Sequence, residues 1–494
     1  MIQEEKDRLG RLTKLRAAHI DPYPTHAERT HTIQEVLRSF DGLLEKKTSV
    51  KIIGRVRLLR RHGGLTFAQL QDQSGTIQVA LRKDILGEEA YDFFHGTIDV
   101  GDFLEVGGQV FLTKKGEKTV EIERQRLISK SLLPLPEKWH GLSDVEARFR
   151  KRYLDLIMSE EVRNRLETRS KIISSIRSLL DGRGFLEVET PTLQPVYGGG
   201  FARPFVTHHH ALDTNFFLRI SDEMYLKRLL VGGFEKVYEI TKVFRNEGLD
   251  RDHNPEFTMF EAQVAYENYE YGMDLFEEIF ETAAVQTLDA PEIQHGDVVV
   301  SVKRPWKRLR LIDAVEQLGG LQKEIWSDRK GAQQTLQKKL GKSAAEELAR
   351  IKSTGELMAF AFETLVEEKL FQPTIIYDYP VEVSPLAKKC PSDSRFVERF
   401  EAFAVGMEIG NNYSELNDPV DLERRFMDEK NREQAGFDEA HQTDTDYLEA
   451  IKHGMPPACG LGIGIDRMVM LLTGAKNIKE VIWFPTLRPN REGD

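Results

Sequence analysis

Cysteine is nearly missing from this chain. Cys390 and Cys459 are the only two in 494 residues. Two thiols build neither a disulfide framework nor a zinc cluster. Long hydrophobic runs are missing too, and no apolar stretch approaches the length that spans a bilayer, so no membrane partner is expected. There is no internal repeat and no low-complexity tract. The first residues, Met1-Ile2-Gln3-Glu4-Glu5-Lys6-Asp7, have no signal-peptide character. With so little cysteine, the expected compartment is the reducing cytoplasm. An excess of positive charge is also lacking: the net charge is −11, which taken alone argues against a nucleic-acid partner.

The distribution of charge says more than its sum. Residues 1–140 carry 23 Lys+Arg and 20 Asp+Glu, a net of +3, which leaves −14 for the rest. Between 51 and 83 there are seven basic residues against one acid, Asp72. A local basic patch on an acidic protein permits selective RNA contact with little non-specific binding. A solvated sheet face accounts for the same charges equally well. Apolar content of 40% supports sizeable cores, and 494 residues predict two or three domains.

Residues 1–48 read as charged helices with a break at Asp21-Pro22-Tyr23-Pro24. The pattern then changes to short alternating strands over Lys51–Leu58, Leu65–Gln71, Thr76–Leu81, Phe103–Thr113 and Thr119–Leu127. Five such strands with a helical insert near 84–95 predict an OB-fold barrel over 49–134. Leu132-Leu133-Pro134-Leu135-Pro136 reads as a linker. A larger mixed segment follows over 141–494, with a helix-rich stretch at 290–355. The fold class is therefore α+β.

Two separated segments carry chemistry. Phe244-Arg245-Asn246-Glu247 precedes His253-Asn254-Pro255-Glu256-Phe257, between apolar runs that read as strands. This strand–loop–strand holds an arginine, a carboxylate and a ring on a stiff frame. The arginine suits a phosphate, the carboxylate an exocyclic amine, and the ring a base. Far downstream, Gly460-Leu461-Gly462-Ile463-Gly464-Ile465-Asp466-Arg467 is a glycine-alternating strand running into an apolar helix. Alternate glycines bare one face of the strand to a flat ligand. Arg467 then stands at a helix start, where anions are favoured.

These segments resemble motifs 2 and 3 of the class II aminoacyl-tRNA synthetases. A helix from about Arg165 to Leu180, followed by Phe185-Leu186-Glu187-Val188-Glu189-Thr190-Pro191, resembles motif 1. Arg203-Pro204-Phe205, Tyr225-Leu226-Lys227-Arg228-Leu229, Pro380 to Leu386 and Ser414-Glu415-Leu416-Asn417 are similar to the lysyl family of that class. The resemblance runs from about residue 5 to Pro489 and is weakest over 285–355. It implies a catalytic domain built on an antiparallel sheet with helices, after the OB-fold barrel.

The resemblance implies a lysine–tRNA ligase using ATP and Mg2+. Arg245 and Arg467 would be its catalytic residues. Arg245 would hold the α-phosphate and the lysine carboxylate, and Arg467 the far phosphate. Glu247, His253 and Phe257 complete the ATP site, Phe257 stacking on adenine. Glu223 would meet the α-amino group and Glu415 the side-chain ammonium, with Gly199, Glu261, Asn411 and Tyr413 lining the slot. Glu401 and Glu408 would bind magnesium. Seven residues apart on a straight strand they would face opposite sides, so a bend or bulge is expected at Gly406. Phe67 and Gln78 match anticodon-reading positions, while Glu121, Glu123 and Arg124 compete for a third. The expected partners are tRNA(Lys), ATP, lysine and a second copy of the chain, docked through motif 1.

Two positions depart from the family. Gln263 stands where tyrosine is expected, and Asn412 where glycine is expected, both read as lying beside the substrate. A tyrosine at 263 should hold lysine better, unless the glutamine amide oxygen already reaches the ammonium. The alternative function is a protein-lysylating paralogue, but such relatives lack the barrel. An aspartyl- or asparaginyl-type ligase would want a cation where Glu415 stands. A non-catalytic RNA-binding protein predicts loss of Arg245, Arg467 or the metal carboxylates, and none is lost.

Overall fold

The computed structural model describes residues 1–136, 144–200, 202–434 and 444–489. The chain divides into two compact units, Met1–Ser143 and Asp144–Asp494.

In the first unit five strands close a barrel: β1 (Ser49–His62), β2 (Leu65–Gln71), β3 (Thr76–Arg82), β4 (Phe103–Leu112) and β5 (Lys118–Ser129). Their order around it is β1-β2-β3-β5-β4. Period-two patterning builds it: Val50, Ile52 and Val56 point inward while Lys51, Ile53 and Arg55 are only partly covered. Helices Gln3–Ala17, Ile33–Arg38 and Phe40–Glu45 precede the barrel, and Leu15, Ile33, Val36, Phe40 and Leu43 join its core. Thr32 and Glu35 form a capping box that starts the second of these helices. The helical insert is two helices, Lys83–Leu86 and Glu88–Thr97.

The second unit adds β6 (Leu186–Glu187), β7 (Leu193–Gln194), β8 (Val206–His209), β9 (Thr214–Leu218), β10 (Lys236–Phe244), β11 (Glu256–Ala265), β12 (Glu292–His295), β13 (Val298–Ser301), β14 (Lys307–Arg310), β15 (Thr374–Pro380), β16 (Phe396–Ala404), β17 (Met407–Ser414) and β18 (Ala458–Gly464). Eight of them form one sheet in the order β14-β15-β16-β17-β18-β11-β10-β6. Only its two outermost pairs are parallel. β7, β9 and β8 make a small sheet, and β12 pairs with β13.

One face of the large sheet is dry. Helix Tyr269–Leu288, capped by Asn268, presses Phe276 and Phe280 toward Phe400 and Trp306. The motif 1 helix, Glu160–Gly182, adds Ile172, Ile176 and Leu180 to the same core. Helices Leu311–Gln317, Arg329–Leu340, Ala345–Arg350 and Thr354–Leu365 fill the helix-rich stretch and have a core of their own around Leu336, Leu357 and Phe362. The opposite face of the sheet is left for a ligand.

Candidate active site

Alternation along β11 divides the two faces. Phe260, Ala262 and Val264 enter the core, while Phe257, Met259, Glu261 and Gln263 line a cavity of about 410 Å³. β17 adds Asn411, Tyr413 and Glu415 from its end, and β18 adds Gly460, Gly462 and Gly464. The β10–β11 loop contributes Arg245, Glu247 and His253, and the helix that follows β18 contributes Arg467.

Arg245 lies over the Phe257 ring at 5.2 Å and donates a long bond, 3.5 Å, to the Ile220 carbonyl. Burial lowers its pKa, but a guanidinium remains cationic. Arg467 donates 2.8 Å to the Glu408 carbonyl and lies 3.2 Å from its carboxylate; its other amino group meets His253 Nε2 at 3.3 Å. Beside it, Asp466 is clamped. Arg169 of the motif 1 helix pairs with it at 2.5 Å, and the Thr258 amide donates to it at 2.7 Å. That clamp fixes the helix start from which Arg467 projects.

The acidic half is wired inward. The Ser221 hydroxyl donates 2.8 Å to Glu261. Burial, together with the charge of Glu223, pushes Glu261 up to about 7. Tyr413 donates its hydroxyl to Glu223. Lys227, one turn after Glu223 on the helix Glu223–Val231, is fully buried, pairs with Glu223, and lies 2.5 Å from Glu415. Burial opposes its charge, but the two carboxylates more than offset this and raise it. Gln263 Nε2 donates 2.8 Å to Glu415. Burial pushes Glu415 up to about 7 while Lys227 pulls against the shift.

Glu401 and Glu408 also line the cavity, on adjacent strands of a hairpin rather than on one bent strand. Val405 and Gly406 make the two-residue turn, both with positive φ, of 53° and 71°. A register shift between Ala402 and Phe403 completes the adjustment. Gly406 is therefore the turn itself. Tyr379 donates 2.8 Å to Glu401, and Arg399 pairs with it and donates 3.0 Å to Asn411. Burial raises Glu401 to about 6 against the pull of Arg399.

The family described as "tRNA synthetases class II (D, K and N)" matches residues 144–488, and "OB-fold nucleic acid binding domain" matches 50–128. The chain belongs to the class II tRNA synthetases. The chain is also 48% identical to the lysine–tRNA ligase of Carboxydothermus hydrogenoformans over 98% of both chains. Against that of Roseiflexus sp. it is 47% identical, again over 98% of each. Against that of Bacillus subtilis it is 46% identical over 97% of this chain and 96% of the relative.

All thirteen residues expected at the synthetase's ATP, lysine and metal sites border the one cavity: Gly199, Glu223, Arg245, Glu247, His253, Phe257, Glu261, Glu401, Glu408, Asn411, Tyr413, Glu415 and Arg467. Asn412 does not join them. Its neighbours Asn411 and Tyr413 face the cavity, so the strand turns it to the other side. There it lies buried against Gly272, with Nδ2 3.4 Å from Cys459 Sγ. The sequence alone assigns no role to Lys227, Ser221, Arg399 or Asp466. The spacing Glu223–Lys227, four apart on a helix, was the available signal for the first.

On the barrel, Phe67 and Gln78 are half-covered side chains on the outer face of adjacent strands, with Phe67 paired to Ala80 and Gln69 to Gln78. Gln78 donates 2.8 Å to Thr119. Glu121 bonds Arg82 at 3.4 Å, whereas Glu123 and Arg124 are exposed.

Proposed function

We infer that this synthetase is a lysine–tRNA ligase. It joins lysine to ATP as lysyl-adenylate and passes the lysyl group to the 3′ end of tRNA(Lys). The observation that carries the reading is the acidic half of the cavity, where Glu223, Glu261 and Glu415 outnumber Lys227. A net negative slot fits an amino acid with two ammonium groups and repels one with an acidic side chain. The full-length likeness to lysine–tRNA ligases agrees with it. No observation favours the protein-lysylating alternative.

Activation is an in-line attack of the lysine carboxylate on the α-phosphorus, with pyrophosphate leaving. The nucleophile is already ionised, so positioning and charge neutralisation suffice. Arg245 holds the α-phosphate and the incoming carboxylate. Arg467, beside His253, meets the far phosphate. Phe257 stacks on adenine, and Glu247 accepts from its amine. Glu223 takes the α-amino group and Glu415 the side-chain ammonium, between Gly199, Glu261, Asn411 and Tyr413.

Glu401 and Glu408 are a two-carboxylate set of the kind that holds magnesium together with substrate phosphates. Bound there, magnesium would neutralise phosphate charge.

The barrel supplies the tRNA contact, through Phe67 and Gln78. Homodimer formation through motif 1 agrees with the end of the large sheet, where Leu186 on β6 is 47% exposed. No described helix is long and apolar enough to cross a membrane. The deciding experiment is ATP–pyrophosphate exchange with each of the twenty amino acids. Exchange with lysine above all others is expected, and a clear preference for any other amino acid sinks the assignment.

A further inference from the structure

We propose that Gln263 binds the side-chain ammonium of the substrate directly, through its amide oxygen; this rests on the lysine-ligase reading above. Gln263 is 2% exposed and lines the cavity. Its Nε2 donates 2.8 Å to Glu415 Oε1. A carboxylate only accepts, so the amide nitrogen must face it and the amide oxygen must face away. That oxygen is buried and has no hydrogen-bond partner among the described residues. A buried carbonyl without a donor is costly, so its partner is expected to come with the ligand.

The surrounding groups leave this acceptor free and hold it still. The second oxygen of Glu415 lies against Lys227 at 2.5 Å. Glu415 is thus shared on both sides before any substrate arrives. Gly460 of β18 packs against the pair. A Cβ there would come within 2.2 Å of Glu415 Oε1 and 2.5 Å of Gln263 Nε2. The amide–carboxylate pair therefore occupies the space that a side chain at 460 would take. A cation with several N–H donors satisfies both acceptors at once: one hydrogen to Gln263 Oε1, others toward Glu415. A hydroxyl or an apolar tail satisfies neither the count nor the charge. In this chain a tyrosine at 263 would remove the bond to Glu415 and fill the space that the ammonium needs.

The test is lysine-dependent pyrophosphate exchange by the full-length enzyme and its variants. Gln263→Met, close in shape, should raise the lysine KM about ten- to a hundredfold, with kcat and the ATP KM little changed, as loss of a bond to a charged group predicts. Ornithine, one methylene shorter, reaches less far, so its KM should move less and the preference for lysine should shrink. Gln263→Tyr should also raise the lysine KM. If Gln263→Met does not fold, Gln263→Asn keeps the amide but withdraws it by one methylene, and the same rise is expected at smaller size. A lysine KM unchanged in a folded Gln263→Met or Gln263→Asn, or lowered in Gln263→Tyr, overturns the proposal. Absence of lysine-dependent exchange in the unaltered enzyme would instead overturn the ligase assignment on which it stands.

Discussion

The two halves of the cavity are prepared for their ligands in opposite ways. In the phosphate half, Arg245 makes one long hydrogen bond among the described residues, and Glu247 and His253 are exposed. In the amino-acid half, Glu223 and Glu415 share a buried lysine, and Tyr413 and Gln263 donate to them. The Arg245 guanidinium is partly desolvated, yet it keeps its charge without a carboxylate bonded to it. A carboxylate loses more on burial: Glu415 is buried and Glu223 nearly so, and unpaired they would cost several kcal/mol each. The protein therefore supplies its own cation, and the substrate ammonium completes a network that is already mostly closed.

The largest test of this contrast is Lys227→Met. It leaves two buried carboxylates without their cation and should cost about 3–5 kcal/mol of stability. Calorimetry should show a lower Tm, partly restored by saturating lysine. A loss below about 1 kcal/mol would mean that the acidic half is as well hydrated as the phosphate half. Arg245→Ala should do the reverse. Adenylate formation should fall by a factor of about 100 or more, roughly 3 kcal/mol, at a nearly unchanged Tm. Near-normal exchange would remove Arg245 from the phosphate site.

The halves should also part with pH. Glu261 and Glu415 are pushed up to about 7, so the ionised forms that hold ammonium groups are lost as pH falls through that value. The kcat/KM for lysine should drop below pH 7 by up to about tenfold per unit for each group, while the ATP KM should respond only nearer pH 6, where Glu401 takes up its proton. A flat lysine profile from pH 6 to 8 would contradict the burial argument. The smallest effect is expected for Glu408→Gln, which should raise the magnesium concentration for half-maximal exchange several-fold. An unchanged magnesium dependence makes this carboxylate a partner of Arg467 alone.

The sequence was most readable where one side of an element is wet and the other dry. The expected span of β2, Leu65–Gln71, coincides with the observed strand because glycine-containing turns bound it at both ends, and its burial alternates without a break. The cavity-facing residues of β11 and β18 follow from the same period of two. The metal carboxylates were harder. A spacing of seven between Glu401 and Glu408 looks like one strand with a fault, because Val405 is a poor sign of a turn: a β-branched residue seldom takes positive φ. Asn412 was misplaced through likeness alone, although alternation between Asn411 and Tyr413 already turned it away. Lys227 was missed for a different reason. A lysine on a helix is usually solvated, and only the packed sheet shows that this one is trapped between two acids.

The close packing of Gly460 against Gln263 and Glu415 bears on redesign. Three positions far apart in the chain form one mechanical part, because the space a methyl group would need at 460 is already filled by the amide and the carboxylate. Alanine at 460 in the present background should jam the slot, yet it could be harmless beside shorter side chains at 263 and 415. Screens that vary these sites singly would score each change as a failure and miss the combinations that work. A library aimed at a new amino acid should therefore vary 263, 415 and 460 in the same clone.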